Sequence, residues 1–189
     1  LLRQHYPDMP IVGVEPGLKP AAAASLNGKV GVLATEGTLC GEKFRLLMDQ
    51  VSEASGAQFL LRGCTGLADR IELGELGSEA TISMLEGYVT PLLDQGADTL
   101  VLGCTHYPFV QDAIEEIVHR HAGRAVTLID TGDAVARQLE RLLAAAYLLR
   151  APAGAATLEG FTTANGATLK TAFANLLGYS GAVHEAQLP

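Results

Sequence analysis

The chain has 189 residues, 48% of them hydrophobic, enough to bury the core of one large domain or two small ones, which excludes a disordered chain. Thirteen Lys+Arg against 21 Asp+Glu leave a formal net charge of -8, and the basic residues are scattered; this argues against non-specific binding to nucleic acid or anionic membrane, which needs dense positive charge. The longest aliphatic run, at 142–149, is too short to span a bilayer, and no signal-peptide pattern stands at the N-terminus.

Taken in order, residues 1–6 read as the tail of a helix stopping before Pro7, 10–15 as a strand leading into the Pro-Gly turn at 16–17, and 19–25 as an alanine-rich helical turn. The chain begins at Leu1 without a methionine, inside that helix tail, so sequence upstream is expected to be missing. Strands are then expected at 29–34, 58–61, 99–102 and 126–129, and helices at 39–53, 66–73, 78–94 and 108–121. Short apolar runs alternating with longer helical patterns mean βα units, hence an α/β fold around a parallel sheet buried on both faces. Gly56, Gly96 and Gly123 fall just past helix ends, where a left-handed residue closes a helix. Beyond Asp130, an amphipathic helix over 133–149 carries Arg137, Glu140 and Arg141 on a solvated face. A flexible connection follows at 151–156, then a strand at 157–162, a helix at 167–177 and a weak last strand at 182–184. Three widely spaced cysteines, Cys40, Cys64 and Cys104, form no CxxC pair, so neither a disulfide framework nor zinc is expected, and a reducing cytosol is inferred.

In open parallel sheets, ligands bind beyond the carboxyl ends of the strands, where the loops converge. The loops expected there are Thr-Glu-Gly-Thr at 35–38, Gly-Cys-Thr-Gly at 63–66, Gly-Cys-Thr-His at 103–106 and Asp-Thr-Gly-Asp at 130–133. In the third, a buried strand turns at Gly103 toward a helix opened by Tyr107 and Pro108. Cys104 therefore sits where unpaired N–H groups and the helix dipole favour a thiolate or a bound carboxylate. Thr105 and His106 add a hydroxyl and an imidazole to the same mouth. Cys104 as a small packed residue, with His106 an ordinary first-turn polar residue, stands open beside that reading. A mouth of hydroxyls, backbone donors, a thiol and an imidazole with few cations suits a small polar or anionic ligand.

Each loop also has a plainer role. Thr38 and Thr131 are good helix N-caps; capping is favoured over binding for Thr131, and the two are balanced for Thr35 and Thr38. Thr65 and Gly66 make a turn, and Cys64 packs rather than reacts. Asp130 and Asp133 read as a cap or an ion pair ahead of a metal loop, and no metal is expected. Without GxGxxG or GxxxxGK[ST], nucleotide binding has no motif behind it.

Together these motifs resemble those of glutamate racemases, in the aspartate/glutamate racemase superfamily. Leu-Gly-Cys-Thr-His-Tyr-Pro at 102–108 is similar to that family's second catalytic-cysteine motif, and further matches follow in the family's order at 12–21, 33–38, 64–72 and 129–132, with a looser one at 161–163. The resemblance implies two α/β lobes with glutamate between them and one cysteine from each. Racemisation would need no cofactor: one cysteine takes the α-proton, and the other returns a proton to the opposite face, supplying D-glutamate for peptidoglycan. Carried onto this sequence, Cys104 is the second lobe's acid/base, acting on the L-enantiomer. Thr105 and His106 bind substrate, His106 also assisting proton movement at Cys104; Glu72 lines the same site; Thr35 and Thr38 supply hydroxyls near the substrate. The chemistry is consistent, because a base for a weakly acidic α-proton must be activated and its carbanion met by preorganised donors. The implied partner is glutamate, with no nucleic acid and no membrane, in the cytoplasm, and a homodimer is the protein assembly admitted.

The family's aspartate-serine pair, proline-tyrosine-glycine loop and Cys-Asn-Thr motif, all of the first lobe, do not occur in the sequence, and Thr65 replaces the family's proline after Cys64. The expected organisation is therefore a truncated first lobe at 1–17 and 127–189 around a complete second lobe at 18–126. Such a chain is expected to be inactive alone as a two-base racemase, while still able to exchange a proton at one face. The rival readings are a superfamily relative acting on aspartate, hydantoin or a small diacid, a non-catalytic glutamate-binding remnant, and a Cys-His nucleophile for acyl transfer.

Overall fold

The structure, a computed structural model, describes residues 2–150 and 157–187. After α1 (Leu2–His5), the main body runs α2 (Leu18–Ala24), β1 (Lys29–Ala34), α3 (Glu36–Cys40), α4 (Glu42–Ser55), β2 (Gln58–Gly63), α5 (Leu67–Glu72) and α6 (Glu79–Asp94). It continues through β3 (Thr99–Leu102), a 3₁₀ turn (Tyr107–Val110), α7 (Gln111–His121) and β4 (Thr127–Ile129). The last part comprises α8 (Gly132–Ala145), β5 (Gly160–Thr162), α9 (Gly166–Leu177) and β6 (Val183–Glu185).

The first four strands form one parallel sheet in the order β2-β1-β3-β4, as the alternating pattern predicts. Side chains alternate across it with period two. Val30, Val32, Ala34 and Val101 pack with Leu18, Ala21, Phe44 and Val51 on one face. Leu33, Leu100 and Leu102 pack with Leu67, Ile71, Leu85, Leu92, Ile114 and Ile117 on the other. Gly31 shows how tightly the second face closes: a Cβ there would meet Leu100 Cδ2 at 2.6 Å and Leu92 Cδ1 at 3.0 Å. The register pairs Ala34 with Gly63, Leu33 with Leu102 and Val101 with Ile129, so the strand ends, and the loops leaving them, share one edge.

Several expectations need correction. Residues 10–15 form no strand; the segment, bounded by Pro10 and Pro16, has no ladder partner among the described residues. The helix expected at 39–53 is two helices, because Gly41 is extended (φ -67°, ψ 134°) and ends α3 before α4 begins. The helix expected from Pro108 starts as a 3₁₀ turn with Tyr107 first, and α8 stops at Ala145, just before Tyr147 with its positive φ of 57°. The strand expected at 126–129 is β4, which starts at Thr127 and is bonded to β3. The last strand pair, β5 with β6, is a separate parallel two-stranded sheet. The connection expected at 151–156 lies outside the described residues. Gly56, Gly96 and Gly123 do have positive φ at helix ends. Among the described residues, no helix is long and apolar enough to cross a membrane.

Candidate functional site

Beyond the carboxyl ends of β1, β3 and β4 lies a cavity of about 590 Å³. Its walls include Thr35 and Thr38 after β1, Gly103, Cys104 and Thr105 after β3, and Asp130, Thr131 and Gly132 after β4. Val14, Glu15 and Pro16 close one side, and Pro108, Phe109 and Val135 contribute apolar surface.

Cys104 is placed by the glycine before it. The Gly103 N–H donates to the Leu33 carbonyl at 2.7 Å, and a Cβ at Gly103 would sit 2.8 Å from that same oxygen and 3.2 Å from Ala34 Cβ. Only glycine lets the chain turn this close to β1. The Tyr107 N–H then donates to the Cys104 carbonyl at 3.1 Å, folding Thr105 and His106 into the intervening turn. Cys104 is partly exposed, with its Sγ 3.5 Å from His106 Nδ1. The other ring nitrogen, Nε2, is 2.9 Å from Glu72 Oε1. Glu72 ends α5, whose buried Leu67 and Ile71, four residues apart, fix the helix against the core.

This line of groups sets the histidine tautomer. A carboxylate accepts a hydrogen bond, so Nε2 carries its proton toward Glu72, and the Nδ1 lone pair faces the Cys104 thiol. The imidazole can thus take the thiol proton and leave a thiolate at the cavity wall. Glu72 and His106 side chains are 48% and 29% exposed, so their pairing adds little to stability and acts mainly on orientation.

The sequence-predicted residues fall into two groups. Thr35, Thr38, Cys104 and Thr105 line the cavity, while His106 and Glu72 stand behind Cys104 and outside that lining. Thr38 is not the N-cap; Thr35 is, its Oγ1 accepting from the Thr38 N–H at 3.2 Å and lying 3.0 Å from Thr38 Oγ1. Thr131 occupies the N-cap position of α8, but its side chain makes no capping bond; Asp130 Oδ2 instead accepts from the Gly132 N–H at 3.1 Å. Cys64 packs as expected: burial pushes its thiol up to about 12, against the opposing pull of the Tyr107 hydroxyl beside it. No cluster of three or more metal-ligating side chains occurs among the described residues.

Sequence reasoning missed Glu15, Phe109 and Val135 as wall residues. The signal for Glu15 is Gly17, where a Cβ would meet Ile129 Cγ2 at 2.9 Å and Thr131 Cγ2 at 3.0 Å, so the preceding strap can lie directly on the end of β4. Among the described residues, no lysine or arginine lines the cavity; its carboxylates are Glu15 and Asp130, and its donors are hydroxyls and backbone N–H groups.

The chain resembles proteins of known kind over most of its length. The Asp/Glu/Hydantoin racemase family matches residues 1–139. A glutamate racemase of Pseudomonas aeruginosa is 50% identical over 163 residues, which is 86% of this chain and 59% of that protein. One from Pseudomonas putida is 47% identical over 187 residues, 99% of this chain and 68% of that protein. In structure, a glutamate racemase of Bacillus anthracis superposes with a TM-score of 0.79 at 26% identity, covering 100% of this chain and 68% of that one. The Escherichia coli glutamate racemase, solved with L-glutamate and the activator UDP-MurNAc-Ala, gives 0.71 at 29% identity, covering 94% of this chain and 65% of that one. The chain spans 57–59% of the length of three curated glutamate racemases that it matches, the one from Pseudomonas aeruginosa among them. The extent of the family match and the level of these identities establish that the chain belongs to the Asp/Glu/Hydantoin racemase family.

Proposed function

We propose that the chain carries one half of a glutamate racemase site: a cofactor-independent acid/base centre that moves a proton at one face of the glutamate α-carbon. The observation that carries this reading is the line Glu72, His106, Cys104, with separations of 2.9 and 3.5 Å, ending at the wall of the cavity. Cys104 is the base toward L-glutamate in the forward direction and the acid in reverse. His106 receives the thiol proton at Nδ1, and Glu72 holds the ring in the tautomer that allows it. Thr35, Thr38 and Thr105 supply neutral donors for the substrate carboxylates, where the carbanion's charge also spreads. Removing water from such a mouth strengthens these contacts.

The reading includes the lobe division given above, with the second lobe at 18–126, as well as cytoplasmic location and a homodimer. The two-base reaction requires a second cysteine on the opposite face, and the Cys-Asn-Thr motif that carries it in the family is absent from these 189 residues. The chain alone is therefore expected to exchange the α-proton of one enantiomer without interconverting the two. Incubation with L- and D-glutamate in deuterated water, read by NMR and chiral chromatography, checks this. Exchange restricted to L-glutamate supports it, and full racemisation by the isolated chain overturns the half-site assignment. The same assay on aspartate and a hydantoin separates glutamate from the family's other substrate classes.

A further inference from the structure

Tyr107 opens the 3₁₀ turn directly after the catalytic loop, and its side chain is fully buried. Its hydroxyl has no hydrogen-bond partner among the described residues. The group beside it is the Cys64 thiol, whose own proton goes to the Arg62 carbonyl at 3.6 Å. Cys64 and Tyr107 belong to one apolar cluster, and Cys104 packs against it from the cavity side. A phenylalanine would fill the same space without stranding a donor, because burying a polar group with no partner costs free energy. The hydroxyl therefore calls for an explanation that packing does not supply.

Burial pushes both the Tyr107 phenol and the Cys64 thiol well above their ordinary values, Cys64 to about 12. Each keeps its proton at neutral pH. The Tyr107 O–H is then a fixed dipole in the apolar cluster against which Cys104 packs. While Cys104 is a thiol, nothing answers that dipole; once Cys104 gives up its proton, a negative charge appears in the same cluster. We propose that Tyr107 is a positioning residue for Cys104: its unpartnered hydroxyl, set beside Cys64 in the cluster against which Cys104 packs, is a donor kept for the charge that Cys104 acquires as a base, acting through the polarisable Cys64 thiol. This rests on the acid/base reading of Cys104 and adds to it a group that never meets the substrate.

The other titratable groups around Cys104 stay in place when only the hydroxyl is removed. They are His106 on its own loop, Glu72 on α5, Tyr88 on α6 and Arg62 on β2 near Cys64, Glu36 at the start of α3, and Glu15 and Asp130 at the cavity wall. The test is the alkylation rate of Cys104 by iodoacetamide, followed by peptide mass spectrometry as a function of pH, in the unaltered chain and in Tyr107→Phe. The variant is expected to react roughly three- to tenfold more slowly at neutral pH, the worth of about one hydrogen bond, and to reach the same limiting rate in alkaline solution. Cys64→Ala is expected to shift the profile the same way, and Cys64→Ser to restore most of it. A Tyr107→Phe profile that superposes on the unaltered one overturns the proposal, whatever happens to the melting temperature. Protection of Cys104 by glutamate, measured in the same samples, reports on the racemase reading separately. A shifted profile without protection keeps the role of Tyr107 and sinks the glutamate site.

Discussion

Residues 18–121 and residues 132–187 both carry amphipathic helices, yet only the first region buries them. Among the described residues, the buried hydrophobic side chains all lie between Leu18 and Val118. In the second region α8 and α9 contain no buried residue, and Leu139, Tyr147, Phe161 and Leu177 are exposed. Apolar burial is worth about 25 cal/mol per Å², so the sheet region holds nearly all of the stabilising core. The candidate site follows the same division: Cys104, His106, Glu72, Thr35 and Thr38 are all attached to the packed region, and among the described residues of the second region only Gly132 and Val135 of α8 reach the cavity wall. Cys104 and His106 lie in the turn that leaves β3, a strand that cannot shift without disturbing a close-packed core.

The largest effect that tests this contrast comes from truncating matched leucines. Leu100→Ala, in the centre of the sheet, is expected to cost about 2–5 kcal/mol in urea unfolding followed by circular dichroism. Leu139→Ala on α8 is expected to change stability by less than ~0.5 kcal/mol. Equal losses would break the comparison and mean that the α8 face is packed in solution. A smaller effect, about 1–3 kcal/mol, is expected for Gly103→Ala, whose methyl would press on Leu33 and Ala34. Because relief requires the loop to move, Cys104 should also lose its approach to His106, read as a lower alkylation rate at neutral pH. Gly87→Ala on α6, where a Cβ meets nothing within 4 Å, should instead be neutral or stabilising.

The sheet region was also the more legible one. The strands at Lys29–Ala34 and Thr99–Leu102 stand where the apolar runs predicted them, because a strand buried on both faces needs an unbroken apolar stretch. The place of Cys104 at the cavity wall was readable because a glycine between a buried strand and a helix start leaves the next side chain at the strand's carboxyl end. The link from His106 to Glu72 is a contact between residues 34 apart in sequence, and no local pattern encodes it; only the family resemblance put both in one site. The strand expected at 10–15 failed for a related reason. Its composition suits an extended chain, but a strand needs a partner, and pairing is a property of the fold. Thr38 and Thr131 look like caps by residue type, whereas the capping atom that counts is set by which neighbour's backbone N–H points inward.

The smallest expected effect concerns the end of the sheet opposite the cavity, and it sharpens the contrast by pH. The Asp98 carboxylate accepts hydrogen bonds from Ser25 Oγ at 2.5 Å, from the Leu26 and Asn27 N–H groups at 2.8 Å each, and from Thr99 Oγ1 at 3.1 Å. Burial pushes its carboxyl up, but these donors to the charged form outweigh it and leave the group below its ordinary value of 3.8. A folded-state value below the unfolded one means that the unfolded chain binds more protons, so the stabilisation is fully present above 3.8 and is lost as pH falls through the folded value. Asp98→Asn removes that titration. Its stability deficit against the unaltered chain should therefore be constant near neutral pH and shrink in acid. Hydrogen exchange should locate the acid effect in the turn at 25–29 and in β3, with α8 unmoved. An acid loss that appears equally in α8 would show that the two regions unfold as one unit, and the division between a packed site-bearing half and an exposed remainder would then be one of surface area without a difference in cooperativity.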